Sequence, residues 1–155
     1  MSKFLEVANT FKEALETDNQ DLTVLRDAAS SLRKGFADYL GVPSGNPINI
    51  NGNEGPHVAI GGVDESGFFR GVPKKQFPRS SDTRIRFVIL FTYDQEPKPR
   101  TQGCILFHMD MEQTSAGFKV WLDDFDEFDV TLENMTSLFD AMHAKAIEKA
   151  RSAKN

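Results

Sequence analysis

The sequence predicts an α+β domain: an antiparallel sheet of four or five strands in a two-layer sandwich with an N-terminal helical hairpin and a C-terminal helix. Three observations predict it. Residues 83–123 alternate apolar and polar side chains with a period of two. Residues 3–40 and 132–151 instead repeat apolar side chains at helical spacing. Glycine, proline and short acidic turns separate the two kinds of segment.

Taken in order, residues 3–16 read as an amphipathic helix with Phe4, Val7, Ala8, Phe11, Ala14 and Leu15 on one face. Residues 17–20 break it, and Asp18 or Asn19 caps a second helix over 21–40. Leu22, Leu25, Ala29, Leu32, Phe36 and Leu40 form the second apolar stripe. Gly41 stands where a left-handed cap belongs, and Pro43 prevents continuation. The two helices are expected to pair as a hairpin. Residues 42–56, rich in Gly, Asn and Pro, read as a long loop matching neither phosphate-binding glycine pattern. Residues 57–63 and 68–72 form a small strand hairpin across the Asp64-Glu65-Ser66-Gly67 turn, with Gly61-Gly62 allowing a bulge. Residues 73–82 are basic and irregular, and Phe77 within them either plugs the core or is displayed to a partner.

The central meander is three strands, 84–94, 102–112 and 118–122. Side chains alternate faces along a strand. Ile85, Phe87, Ile89, Phe91, Ile105, Phe107, Met109 and Met111 therefore share a dry face, and Arg84, Arg86, His108, Asp110 and Glu112 the wet one. Opposite charges placed directly across a ladder stabilise it. That sets Arg84 against Glu112, Arg86 against Asp110 and Leu90 against Leu106. Carrying the third strand through a 113–117 loop places Lys119 beside Asp110 and Trp121 beside His108. A last helix over 132–151, capped by Thr131 or Asp129, buries Leu132, Met135, Phe139, Met142, Ala146 and Ala150.

The chain has 155 residues, 39% hydrophobic and 26% charged, which suits one soluble domain over 1–155. Cys104 is the single cysteine, so no internal disulfide forms and a reducing cytoplasm is the expected setting. The first 17 residues do not read as a signal peptide, and no stretch is apolar enough to span a bilayer. Net charge is −5, unevenly spread: residues 70–100 hold eight bases against three acids. Such polarity suits steering of a charged partner.

Three groups of residues are candidates for function. His108 and Asp110 share the wet face and could act as general base and its acid, with Arg86 and Lys119 holding an anion. Cys104 lies four residues from His108 on the same strand, about 13 Å by strand rise, too far for a nucleophile and its base. Arg70, Lys74, Lys75, Arg79 and Arg86, with Phe68, Phe69 and Phe77 for stacking, could bind an anion or nucleic acid. Asp123, Asp124, Phe125, Asp126, Glu127, Phe128 and Asp129 alternate acids with aromatics and fit a protein partner of basic surface. Phe125 and Phe128 fit equally as side chains sealing the sheet edge.

No cofactor and no metal site is expected. The histidines lack ligand spacing, and Asp124, Asp126 and Asp129 miss the glycine and distal glutamate of a calcium loop. The leading expectation is a non-enzymatic cytoplasmic inhibitor or immunity-type protein, of the bacterial kind that neutralises a basic partner such as a nuclease toxin, with no membrane role. A small enzyme using His108 and Asp110, and a nucleic-acid binder through 70–86, are the alternatives.

Overall fold

A computed structural model describes residues 2–42, 48–50, 53–94 and 103–153. The element order is α1 (Lys3–Leu40), β1 (Ile48–Ile50), β2 (Asn53–Gly55), β3 (Val58–Val63), β4 (Phe69–Gly71), β5 (Arg84–Thr92), β6 (Cys104–Thr114), β7 (Gly117–Leu122), β8 (Asp126–Val130) and α2 (Thr136–Arg151), with a 3₁₀ turn at Lys74–Gln76. Six strands form an open antiparallel sheet in the order β4-β3-β5-β6-β7-β8, giving an α+β fold with two α-helices among the described residues. β1 and β2 pair separately, so the stretch expected as a long loop contains a small hairpin. Residues 43–47, 51, 52 and 95–102 lie outside the described residues; they include Pro43 and the loop expected to join β5 to β6.

The expected helical hairpin is corrected: α1 is one helix of 38 residues. Its polar segment 17–20 contains neither proline nor glycine. Ordinary polar residues cost a helix only about 0.7 kcal/mol each or less, too little to break one already nucleated on both sides. The hydroxyls that could have competed turn back instead. Thr17 Oγ1 donates to the Glu13 carbonyl at 3.1 Å and Thr23 Oγ1 to the Asn19 carbonyl at 2.9 Å. Ser2 caps the start, accepting from the Leu5 N–H at 3.1 Å. Gly41 ends the helix at φ 70°, as expected, with its N–H on the Ala37 and Asp38 carbonyls.

The parity of the meander holds. Ile85, Phe87, Ile89, Phe107, Met109, Met111, Phe118, Val120 and Leu122 are all buried, while Arg86 and His108 are exposed. The β5–β6 register also holds: Arg84 faces Glu112, Arg86 faces Asp110 and Leu90 faces Leu106. The β6–β7 register is corrected by two residues. Thr114 pairs with Gly117 across a two-residue turn, not a five-residue loop, so Lys119 faces Glu112 and Trp121 faces Asp110. Gly117 must be glycine here, because its φ is 153° and a Cβ would lie 2.4 Å from the Val130 carbonyl oxygen.

The sheet exceeds the expected four or five strands because the acidic segment is itself strand β8, paired along β7 from Phe118–Val130 to Leu122–Asp126. At the other edge β4 lies so close to β3 that a Cβ on Gly61 would meet the Arg70 carbonyl oxygen at 2.1 Å. Phe77 plugs the core, fully buried and stacked on Phe87 at 5.9 Å. α2 starts at Thr136, later than expected. Thr131 Oγ1 accepts from the Asn134 N–H in the preceding turn, and Asn134 Oδ1 accepts from the Thr136 N–H. Leu132 is consequently exposed, and Leu138 takes a core place.

One hydrophobic cluster joins Leu25, Ala28, Ala29, Leu32 and Phe36 of α1, the dry face of the sheet from Ile85, Phe87 and Ile89 across to Phe118, Val120 and Leu122, and Leu138, Phe139, Met142 and Ala146 of α2. Phe36 is its hub. Its ring meets Phe91 at 5.9 Å and Phe107 at 5.8 Å edge-on, and Phe139 at 5.7 Å. Residues 3–17 of α1 stand outside this cluster. None of them is buried, and Phe4, Val7 and Phe11 are 77%, 69% and 64% exposed.

Candidate functional site

The β7–β8 hairpin carries the acidic residues singled out above. Its turn is Asp123, Asp124 and Phe125, and both aspartates adopt left-handed backbone, φ 53° and 68°. A non-glycine residue there is disfavoured by roughly 1–2 kcal/mol, with Asp and Asn the most tolerant. Neighbouring groups hold the turn. Asp123 Oδ1 accepts from the His108 N–H at 3.1 Å, and its own N–H donates to the His108 carbonyl at 2.8 Å. Lys145 of α2 reaches Asp123 at 3.8 Å and Asp126 at 3.5 Å. At the tip Phe125 is 89% exposed, whereas Phe128 turns inward and packs on the core. The pair expected to act together is thus divided.

Glu127 also points across β7. It accepts from Trp121 Nε1 at 3.1 Å and pairs with Lys119 at 3.6 Å. Asp129 lies opposite Lys119 in the ladder, and Asp124 is exposed at the turn. Arg84 stacks on the Trp121 ring, its guanidinium carbon 3.6 Å from the ring centre. A cation on an indole face is worth about 0.5–1 kcal/mol at an exposed site. Lys145 and this Arg84–Trp121 stack were missed in the sequence. Lys145 comes from a helix remote in the chain, and the stack exists only in the corrected β6–β7 register.

His108 and Asp110 lie on the same face of β6, as parity requires, and the imidazole is exposed. The Asp110 carboxylate turns to Arg86, which donates to it through Nε at 3.0 Å and Nη2 at 3.5 Å. This pairing raises the Arg86 pKa further above its ordinary value: the hydrogen bond to Asp110 acts first, then the Asp110 charge, with a smaller push from Asp124. Asp110 therefore orients Arg86, not His108. Cys104 is half-buried opposite Thr92 at the far end of the ladder.

The basic segment is drawn onto the protein's own acids. Arg70 pairs with Asp64 at 3.1 Å, Lys74 with Asp27 at 2.6 Å, Arg79 with Asp18 at 2.5 Å and Arg86 with Asp110. Lys75 is exposed. Two of these acids belong to α1, so the lopsided charge seen in the sequence matches a surface where segment 70–86 meets an acidic helix face. The Asp64 pKa is held below its ordinary value, first by the Phe68 N–H, against the contrary effect of burial, and then by the Ser66 N–H and Arg70.

A half-open groove of about 400 Å³ lies between α1, the 79–83 segment and the end of the β5–β6 pair, lined by Asp18, Asp21, Arg79, Asp82 and Arg84 among others. It does not include His108 or Asp110. Among the described residues no group of three or more His, Cys, Asp or Glu is placed to hold a metal ion, and no helix is long and apolar enough to cross a membrane.

Comparison with protein-family models, curated proteins and solved structures finds no match for this chain.

Proposed function

We propose that this chain is a non-enzymatic protein-binding domain of the inhibitor or immunity type, which offers its β7–β8 hairpin to a protein of basic surface. The observation that carries the reading is Phe125, 89% exposed at the tip of a turn whose neighbours are acids. An exposed aromatic is costly in water and valuable as an anchor in a partner's pocket, while surrounding like charges speed encounter with an opposite surface. The Asp123–His108 hydrogen bonds and the Lys145 clamp support a turn already ordered before binding, which lowers the entropy lost on association. In this reading the domain is two-layered, with both helices packed on the sheet face that carries the core cluster.

The enzymatic and nucleic-acid readings have less support. Asp110 is engaged by Arg86 rather than His108, and Arg70, Lys74, Arg79 and Arg86 are each paired with an internal carboxylate.

The test is kinetic. Isolation of the native complex supplies the partner, and stopped-flow mixing then compares the wild type with the Asp124→Asn, Asp126→Asn, Asp129→Asn triple variant. The triple variant should associate at least severalfold more slowly and with a flatter salt dependence. Phe125→Ala should chiefly speed dissociation. Association at the wild-type rate and salt slope in the triple variant removes the hairpin from the interface.

A further inference from the structure

We infer that the exposed N-terminal half of α1 is a self-association arm, which pairs antiparallel with the same segment of a second copy of this chain. The apolar stripe of α1 repeats every seven residues along its length. One row is Phe4, Phe11, Leu25 and Leu32, interrupted only by Asp18; the other is Ala8, Leu15, Leu22, Ala29 and Phe36. A strict seven-residue repeat keeps one seam on one side of a helix, the pattern by which helices pair. From Leu25 onward the seam is buried in the core. Before Asp18, which pairs with Arg79 of the body, the same seam faces water. The arm is therefore continuous with an interface that already packs.

Three features select a second copy as the occupant. The first is charge. Residues 3–12 carry Lys3 and Lys12 against Glu6, while residues 13–21 carry Glu13, Glu16, Asp18 and Asp21 with no base. Antiparallel pairing sets the basic part of one arm against the acidic part of the other, whereas parallel pairing stacks acid on acid.

The second feature is fit. With the two-fold axis between Asn9 and Thr10, Phe4 meets Leu15 of the other copy, Ala8 meets Phe11, and Lys3 lies near Glu16, so large side chains face small or medium ones. Each arm, about 22 Å over residues 3–17 at about 1.5 Å per residue, ends just short of the Asp18–Arg79 pair of the other copy. This pairing places the two bodies at opposite ends of the paired arms.

The third feature is area. Phe4, Leu5, Val7, Phe11 and Leu15 are 46–77% exposed. At roughly 100 Å² of newly covered surface for each, both copies together bury about 1,000 Å², the lower bound for a specific interface.

The experiment is sedimentation equilibrium of the full chain at micromolar to high micromolar concentration, beside circular dichroism. Wild type should show a mass doubling from 17.4 kDa as concentration rises. Phe11→Glu should remain folded, because the position is exposed, and stay monomeric. Lys3→Glu should weaken association severalfold, and Lys3→Glu with Glu16→Lys should restore it. A wild-type chain that stays monomeric throughout overturns the inference, and so does a dimer indifferent to Phe11→Glu. Binding of a monomeric wild-type chain to vesicles of anionic lipid through the same residues also overturns it, by assigning the arm to a membrane surface.

Discussion

The two halves of α1 carry one repeat and meet different surroundings. Leu25, Ala28, Ala29, Leu32 and Phe36 lie against the sheet and α2, all within 5% of full burial. Phe4, Val7, Phe11 and Leu15, spaced in the same way, lie in water. Helical periodicity therefore states which side of a helix is apolar and leaves open what that side meets. Burial requires an opposing surface, and the six-stranded sheet supplies one for only part of a helix of 38 residues. An exposed half of such length is held by backbone hydrogen bonds and by propagation from its docked half.

This contrast can be broken by substitution. Phe36→Ala should cost about 3–5 kcal/mol in urea unfolding, because it empties a site ringed by Phe91, Phe107 and Phe139. Phe11→Ala should alter the stability of the monomer by no more than about 0.5 kcal/mol. Equal losses at the two positions would refute the division of α1 into docked and free halves.

Backbone substitution sharpens it. In the monomer, Ala14→Pro should reduce the helical circular dichroism signal while leaving the melting temperature of the body nearly unchanged, since none of residues 3–17 is buried. Ala29→Pro should prevent folding, because a proline costs a helix interior about 3 kcal/mol or more at a position that is fully buried. In the monomer, amide exchange should follow the same boundary, fast before Asp18 and slow from Leu25 to Phe36.

The smallest effect concerns the end of the docked half. Tyr39 donates to Asp140 Oδ1 at 2.5 Å, linking α1 to α2. That hydrogen bond, with lesser contributions from burial and the Asp140 charge, raises the phenol pKa. A raised folded-state pKa means stability present below the ordinary phenol value and lost as pH rises through the folded one. Absorbance titration near 295 nm should show both tyrosines ionising late, Tyr39 on account of this bond and Tyr93 on account of its burial. In Tyr39→Phe the Tyr39 component should vanish, along with a small alkaline loss of stability. If the component lost in Tyr39→Phe is one that titrates at the ordinary phenol value, Tyr39 is not linked to Asp140.

Much of the sheet was legible because its signals are local and binary. A strand with Phe and Ile on one parity and Arg and Asp on the other has one way to face the core, and the Arg84–Glu112 and Arg86–Asp110 pairs chose among registers of that parity. The β6–β7 register was misjudged because a two-residue turn and a five-residue loop preserve the same parity; only the ladder distinguishes them. Segment 17–20 was misread as a break because Thr, Asp and Asn favour caps when isolated. Within a long helix their competing hydrogen bonds are absorbed, as Thr17 shows on Glu13. In the proposed binding hairpin the acids and Phe125 were evident in the sequence. That Phe128 points inward, that Asp123 and Asp124 turn left-handed, and that Lys145 clamps two of the carboxylates were not.

By itself the sequence determined the α+β class, the dry face of the meander and the helical stripes, because these follow from periods of two and of about three and a half residues along the chain. Tertiary structure alone decided which stretch of a continuous stripe is covered, which carboxylates are taken up by the basic segment, and which aromatic reaches solvent. Those outcomes depend on surfaces brought together from residues distant in sequence, and no local period records how far the opposing surface extends.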